Sequence, residues 1–346
     1  MNYKVTIKDK DIAFDVAMGM TILESAVRQN IDYPQGCLSG NCGACKSVLH
    51  SGEVELSPYS EFALSAEEKE RGLILACRSV PWSDCEISPI DDDEAIVHAS
   101  RQLECEVTGI EQATLDIKIV RLKINAGGPF DFSAGQYASA TFRDLPPRDF
   151  SMANLPGDNI LEFHIRLVPD GAVTPYVMNE LKIGENVHVR GPYGTAYYRE
   201  SHPGPIIAAA GGSGLAPIKS IVSAIFARRA EQPIALYFGV RDERDLYLAD
   251  YFEEMSKAQE NFKFIPVLSE PSGETKRRTG FLADAIAEDL SGNMFGLDGY
   301  KAYLAGPPIM VESTVEKLKL LGLERNDCHA DAFYTEADKK NLEEKA

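Results

Sequence analysis

The feature that most constrains this chain is a cluster of cysteines. Cys37-Leu38-Ser39-Gly40-Asn41-Cys42-Gly43-Ala44-Cys45 places three thiols in one short loop, and Ala76-Cys77-Arg78 answers far downstream. The spacing C-x4-C-x2-C with a distant fourth Cys suits a 2Fe–2S cluster, because soft thiolates select iron and closely spaced ones ligate neighbouring irons. Gly36, Gly40, Gly43 and Ala44 fit the same loop, which needs positive φ angles and N–H groups aimed at sulfur. Cys37, Cys42, Cys45 and Cys77 are therefore the expected metal ligands. A structural zinc site usually brings two well-separated C-x2-C knuckles, and only Cys42 and Cys45 make such a pair. Rieske-type ligation needs His beside the cysteines, and none is there. A disulfide needs an oxidising compartment, and the N-terminus alternates like a strand rather than reading as a secretion signal. Cys85, Cys105 and Cys328 lack this context and read as small buried side chains.

A chain of 346 residues exceeds one ordinary core, so two or three domains are expected. No apolar run is long enough to span a bilayer, which with the thiol chemistry predicts a cytoplasmic protein. The net charge of −18 argues against nucleic acid as a partner. The acidity culminates in Asp91-Asp92-Asp93-Glu94 and would steer a basic docking surface, or serve solubility alone.

Residues 3–8 and 12–16 read as strands, Thr21-Ile22-Leu23-Glu24 as a helix start, Ser51-Gly52 as a hairpin turn, and Ser65-Ala66-Glu67-Glu68 as a second helix start. The first ninety or so residues resemble a plant-type ferredoxin. After a polar linker at 91–100, short alternating stretches at 103–110, 115–122, 136–142, 161–168 and 187–190 suggest a small antiparallel barrel, interrupted by a helix at 174–181. From Ile206 the pattern changes to strands alternating with helices, which predicts a parallel sheet covered on both faces. The expected fold is thus an α+β ferredoxin domain (1–95), an antiparallel β-barrel (101–200), an α/β parallel-sheet domain (201–335) and a charged tail (336–346).

Arg148-Asp149-Phe150-Ser151 resembles the flavin motif of the ferredoxin–NADP reductase superfamily, Arg-x-Tyr-Ser/Thr, with Phe150 in the Tyr position. The resemblance implies that Arg148 holds flavin phosphate, that Phe150 packs on the ring system and that Ser151 lies near its N5. Such roles suit a bidentate guanidinium and an aromatic face. Ile165-Arg166 through Gly171 and Thr174 is similar to the family segment beneath the pyrophosphate, and Gly191-Pro192-Tyr193-Gly194 to its barrel-closing turn. FAD is the flavin the resemblance implies.

Gly211-Gly212-Ser213-Gly214-Leu215-Ala216-Pro217 sits where a strand meets a helix and resembles the family's GGTGxAP nucleotide motif, with Ser213 in the Thr position. Gly306-Pro307-Pro308-Ile309-Met310 is similar to its CGPPxM segment, with Ala305 where the family has Cys. That leaves the binding loop intact and removes any thiol contribution. Arg241 and Asp242 follow the second strand, where the adenosine ribose is selected. The carboxylates of Asp242 and Glu243 favour NADH, while Arg241 leaves NADPH open. The ending Ala330-Asp331-Ala332-Phe333 matches an acidic-x-aromatic pattern that implies Phe333 against the flavin and Asp331 near the hydride path.

The order of segments resembles the reductase components of ring-hydroxylating dioxygenases and soluble diiron monooxygenases. The implied function is an NADH-dependent oxidoreductase passing electrons through FAD and a 2Fe–2S cluster to a terminal oxygenase or small ferredoxin of an aromatic or hydrocarbon hydroxylating system, with Ser151, Asp331 and Phe333 catalytic. Two other readings remain: a reductase for a non-oxygenase iron–sulfur acceptor, as in deoxysugar biosynthesis, and a redox sensor with little turnover. A monomer is the expected state.

Overall fold

The computed structural model describes all residues except 1, 32, 36–39, 41–42, 62, 91–95, 97, 293–295 and 336–346. The chain divides into two compact units. One takes the described residues of 1–95 and 334–346 with Tyr193–Thr195, and the other takes Ile96–Pro192 and Ala196–Phe333.

In the first unit the chain runs β1 (Asn2–Ile7), β2 (Ile12–Ala17), α1 (Ile22–Arg28), β3 (Lys46–Ser51), β4 (Val54–Leu56), α2 (Ala66–Glu70), β5 (Leu73–Leu75), β6 (Ser79–Pro81) and β7 (Cys85–Pro89). Among the described residues the main sheet orders β2-β1-β7-β3-β5, with β1 and β7 parallel. Both helix starts act as capping chemistry requires. Thr21 accepts from the Glu24 amide, and Ser65 and Glu68 form a reciprocal capping box. Val5, Ile7, Val16, Ile22, Leu23, Leu75 and Ile87 bury the face between sheet and helix. The hairpin expected at Ser51-Gly52 does not form. β3 pairs with β5 and β7, while β4 turns away to pair with β6. Gly52 is at φ +99°, where a side chain would strike the Asp84 carbonyl, so the glycine serves a close crossing rather than a hairpin.

The second unit begins with β8 (Arg101–Gln112), β9 (Ile117–Ala126), β10 (Tyr137–Phe142), β11 (Arg148–Ser151), β12 (Ile160–Arg166), α3 (Val173–Asn179) and β13 (Asn186–Tyr193). Their order is β11-β10-β13-β8-β9-β12. The two outer strands meet where Met152 bridges Phe163, which closes the sheet on itself around Leu103, Val120, Phe142, Phe163 and Val189.

The chain then alternates: β14 (Ile206–Gly211), α4 (Leu215–Ala227), β15 (Ile234–Val240), α5 (Ala249–Ala258), β16 (Phe262–Leu268), β17 (Arg278–Thr279), α6 (Leu282–Leu290), β18 (Lys301–Gly306), α7 (Pro308–Leu320) and β19 (Cys328–Ala332). The order β17-β16-β15-β14-β18-β19 is parallel throughout the pairs. β14 and β18 are fully buried, as the uninterrupted apolar runs demand. From β14 the sheet grows first to one side and then, at β18, to the other. The gap between the carboxyl ends of β14 and β18 is therefore the topological switch point, where open α/β sheets bind ligands. Among the described residues no helix is long and apolar enough to cross a membrane.

Candidate functional site

In the first unit Cys45 lies at the turn entering β3 and Cys77 just beyond β5, both nearly buried. The Cys77 amide points at the Cys45 sulfur, 3.4 Å away, and the Ala76 amide bonds the Cys45 carbonyl. Gly40 and Gly43 have φ near +78°, and a Cβ on Gly40 would lie 2.7 Å from Arg78 Cγ. Arg78 Nε is buried with no hydrogen-bond partner among the described residues. An amide aimed at sulfur, bare glycine backbone and a buried guanidinium donor with no partner among the described residues fit a thiolate-bound cluster. Cys37 and Cys42 lie outside the described residues. Cys85, Cys105 and Cys328 differ in kind: burial pushes each thiol up, Cys105 and Cys328 to about 12, so they remain protonated and inert.

In the second unit the flavin-motif strand β11 runs along the barrel edge. Phe150 is half-buried, its ring centroid 6.3 Å from Phe142 and 6.2 Å from Phe163. Ser151 is buried and its hydroxyl donates to Asp331 Oδ2 at 3.2 Å. Asp331 belongs to β19, an edge strand in register with Ala305 on β18, and the Phe333 amide bonds the Gly306 carbonyl. The structure thus brings the barrel motif and the acidic ending to the switch point. Arg148 Nη1 bonds the Pro147 carbonyl, leaving the rest of its half-exposed guanidinium for an anion. Ile165 is fully buried in the barrel core, so it can meet a ligand only through its backbone. Arg166 Nε bonds Asp116 at 2.9 Å, and its Nη1 comes to 3.1 Å from where a Gly212 side chain would begin. Burial favours the protonated form of Asp116, but the Arg166 guanidinium outweighs it and holds the carboxyl below its usual range. Gly171 sits tight against the Val168 carbonyl, and the Thr174 hydroxyl accepts from the Val168 amide at 2.8 Å, closing the loop before α3.

The nucleotide motifs meet backbone to backbone. A Cβ on Gly214 would lie 2.1 Å from the Ala305 carbonyl oxygen, and one on Gly306 would lie 2.9 Å from the Gly211 carbonyl oxygen. A Cβ on Gly211 would strike Met310 Sδ at 2.5 Å and Pro307 at 2.9 Å, so Pro307, Pro308 at the first turn of α7, and Met310 wall the same turn. Ser213 is half-exposed between them. An amide-rich turn at the switch point, bare of side chains, fits a dinucleotide pyrophosphate. Beyond β15, Asp242 spends its carboxylate on the amides of Glu243 and Ser272 and on the Ser272 hydroxyl. These bonds, the Ser272 hydroxyl first, hold its carboxyl below its usual range. Arg241 is engaged by Asp245 at 2.9 Å and Asp116 at 3.4 Å. Asp242, Glu243, Ser272 and Thr275 line a cleft of about 320 Å³.

Sequence reasoning missed Asp116, Glu162, His164, Lys219 and Tyr247. The only local sign is that Glu162 and His164, two apart on a strand, share one face with no partner near in sequence.

Family models match three consecutive segments: a 2Fe-2S iron-sulfur cluster binding domain at residues 5–81, an oxidoreductase FAD-binding domain at 104–198 and an oxidoreductase NAD-binding domain at 209–316. The chain is 37% identical, over 96% of its length and 98% of the relative's, to the reductase component of the naphthalene 1,2-dioxygenase/salicylate 5-hydroxylase systems of Ralstonia sp. It is 35% identical, over 98% and 96%, to the reductase component of phenol 2-monooxygenase from Pseudomonas sp. strain CF600. Among solved structures, an Amycolatopsis cytochrome P450 reductase superposes with a TM-score of 0.76 at 33% identity, covering 96% of this chain and 98% of that one. The chain belongs to the reductase components of oxygenase systems, electron-transfer oxidoreductases that combine a 2Fe–2S domain with FAD- and NAD-binding domains.

Proposed function

We propose that this chain draws on NADH and delivers electrons singly to the terminal oxygenase, or to a small ferredoxin ahead of it, in an aromatic or hydrocarbon hydroxylating system. Bound flavin supplies the change from two-electron to one-electron chemistry that a nicotinamide donor and an iron–sulfur cluster require of one protein. The observation that carries the reading is the Ser151–Asp331 hydrogen bond at the switch point. It joins the flavin-motif strand to the strand beside the Gly306 loop, which is where a nicotinamide and a flavin ring need to meet.

In this reading Arg148 and Arg166 hold phosphate charge, the Gly171–Thr174 loop accommodates the pyrophosphate, and Phe150 and Phe333 cover the ring system. Ser151 and Asp331 hold a proton beside the reacting ring, and the Gly211–Gly214 and Gly306–Met310 turns seat the dinucleotide. Cys37, Cys42, Cys45 and Cys77 ligate the cluster. The carboxylates that occupy Arg241 support NADH over NADPH, because they leave that guanidinium little charge to offer a 2′-phosphate. The segments 1–95, 101–200 and 201–335 act as the cluster, flavin and nucleotide domains. The net charge of −18 supports a basic protein surface, rather than nucleic acid, as the docking partner. We read the working form as a cytoplasmic monomer, since a reducing compartment keeps the four thiols available for iron.

Stopped-flow reduction of the flavin tests the donor and the Ser151 role together. Wild type should favour NADH over NADPH in kcat/KM, and Ser151→Ala should slow flavin reduction roughly tenfold or more at unchanged flavin content. An unchanged rate in Ser151→Ala removes Ser151 from the site.

A further inference from the structure

A buried polar chain crosses the second unit from the barrel to the nucleotide turn, and none of the roles above uses it. Glu162 stands on β12 with its Oε1 3.0 Å from Lys219 Nζ of α4 and its Oε2 2.8 Å from Arg121 Nε of β9. His164, two residues on, has a wholly buried side chain. Its Nε2 lies 3.3 Å from Glu162 Oε1 and its Nδ1 2.9 Å from the hydroxyl of Tyr247, which comes from the loop before α5. That hydroxyl lies 3.3 Å from the carbonyl of Gly212.

Burial favours a protonated Glu162, but the bond from His164 and the charge of Lys219 outweigh it, so the group is a carboxylate and can only accept. His164 Nε2 therefore carries a proton in every state. Burial, and the charge of Glu162, keep Tyr247 a phenol, with one proton and two acceptors competing for it. When the His164 ring is neutral its Nδ1 is bare and takes that proton, leaving the Gly212 carbonyl without it. When the ring is protonated, Nδ1–H donates to the Tyr247 oxygen, and the phenol proton turns onto Gly212.

We propose that His164 and Tyr247 are positioning residues for the pyridine dinucleotide: gain of a proton by His164 turns the Tyr247 hydroxyl onto the Gly212 carbonyl and fastens the turn that carries the pyrophosphate. This rests on the assignment of Gly211–Gly214 to the dinucleotide. The groups facing His164 are Glu162 on its own strand, Arg121 on β9, Lys219 on α4 and Tyr247, with Asp116 and Arg166 beyond the phenol. Burial disfavours the charged ring and Glu162 favours it, while Lys219 and Arg121 oppose it. The net effect is a ring neutral at pH 7 that charges only on acidification. Nucleotide affinity should therefore rise as pH falls.

The test is the dissociation constant of NAD+ for the holoprotein between about pH 8 and about pH 5.5. Wild type should tighten progressively as pH falls, toward a limit of roughly threefold to tenfold, the worth of one neutral hydrogen bond, and a wild-type affinity that does not rise on acidification overturns the proposal. Tyr247→Phe and the non-titrating His164→Asn should show no such change. Imidazole ¹⁵N resonances, with His164 identified by its loss in His164→Asn, should report an Nε2-protonated neutral ring at pH 8. This readout needs no nucleotide and no folded Tyr247 variant. An Nδ1-protonated ring at pH 8, or a Tyr247→Phe protein that keeps the full pH dependence, overturns the proposal. Gly212→Ala separates the two layers. If it binds NAD+ as wild type does, the turn assignment itself is wrong. If it binds weakly while Tyr247→Phe still follows pH, the assignment stands and the proposal alone falls.

Discussion

Two alanine substitutions two residues apart in the nucleotide turn should each destabilise the unit for a different reason, because different physics holds each glycine. Gly214 has an ordinary helical φ of −60°, so alanine there carries no backbone strain. Its Cβ, however, would lie 2.1 Å from the Ala305 carbonyl oxygen, 2.4 Å from its carbonyl carbon and 2.8 Å from Gly306 Cα. All three are backbone atoms at the end of β18, so relief requires moving the start of α4 off that buried strand end by about 1 Å, an overpacking that costs ~1–3 kcal/mol or more. For a unit of this size that lowers the melting temperature by roughly 2–12 °C. Gly212 is the reverse case. It sits at φ +54°, where alanine costs ~1–2 kcal/mol, and among the described residues the Cβ would meet only the movable end of Arg166, at 3.1 Å. Gly212→Ala should therefore melt roughly 2–8 °C below wild type through backbone strain alone, while its new methyl group crowds the pyrophosphate position. Differential scanning calorimetry of the holoproteins, followed by NAD+ titration, reads both effects. A Gly214→Ala protein as stable as wild type would refute the backbone contact on which the switch-point site is built.

Further outcomes follow from the same geometry. Cys45→Ser or Cys77→Ser should abolish the iron–sulfur absorbance while leaving flavin content and NADH-driven ferricyanide reduction in place, and cytochrome c reduction should fail; retention of a normal cluster signal would exclude that ligand. Glu162→Gln should destabilise the second unit by ~3 kcal/mol at pH 7, since it strands Lys219 and Arg121 beside a neutral amide. Glu162 titrates lower in the folded than in the unfolded chain, so its contribution is complete above the ordinary carboxylate range and is lost as pH falls through and below it. The gap between wild type and Glu162→Gln in urea denaturation should accordingly narrow on acidification, and a gap independent of pH would show that Glu162 is not the ionised hub.

Much of this architecture is legible in the sequence because its signals are local. The strand bounds Ile234–Val240 and the alternation that follows come from apolar runs broken by helices, and the cluster, flavin and nucleotide motifs are set by glycine, cysteine and arginine at fixed spacing. The helix after the glycine turn begins at Leu215, so Pro217 falls in its first turn, where its missing N–H costs nothing. β19 escapes notice because Cys328–Ala332 is short and weakly apolar, and only its pairing with β18 makes it a strand. The failed hairpin at Ser51-Gly52 has the same origin: β7, from the far end of the first unit, takes the place β4 would have filled. Nothing local predicts Asp116 beside Arg166 or Tyr247 beside His164, because the first pair is made by β9 meeting β12 in the barrel and the second by the barrel meeting the parallel sheet.

The most direct test of the central claim is an anaerobic titration of the holoprotein with NADH, followed by visible absorption and by EPR. The account predicts bleaching of both centres with about three electrons taken up per molecule, two by the flavin and one by the cluster, and the EPR signal of a reduced 2Fe–2S centre. A flavin that bleaches fully while the cluster stays oxidised and EPR-silent would contradict it.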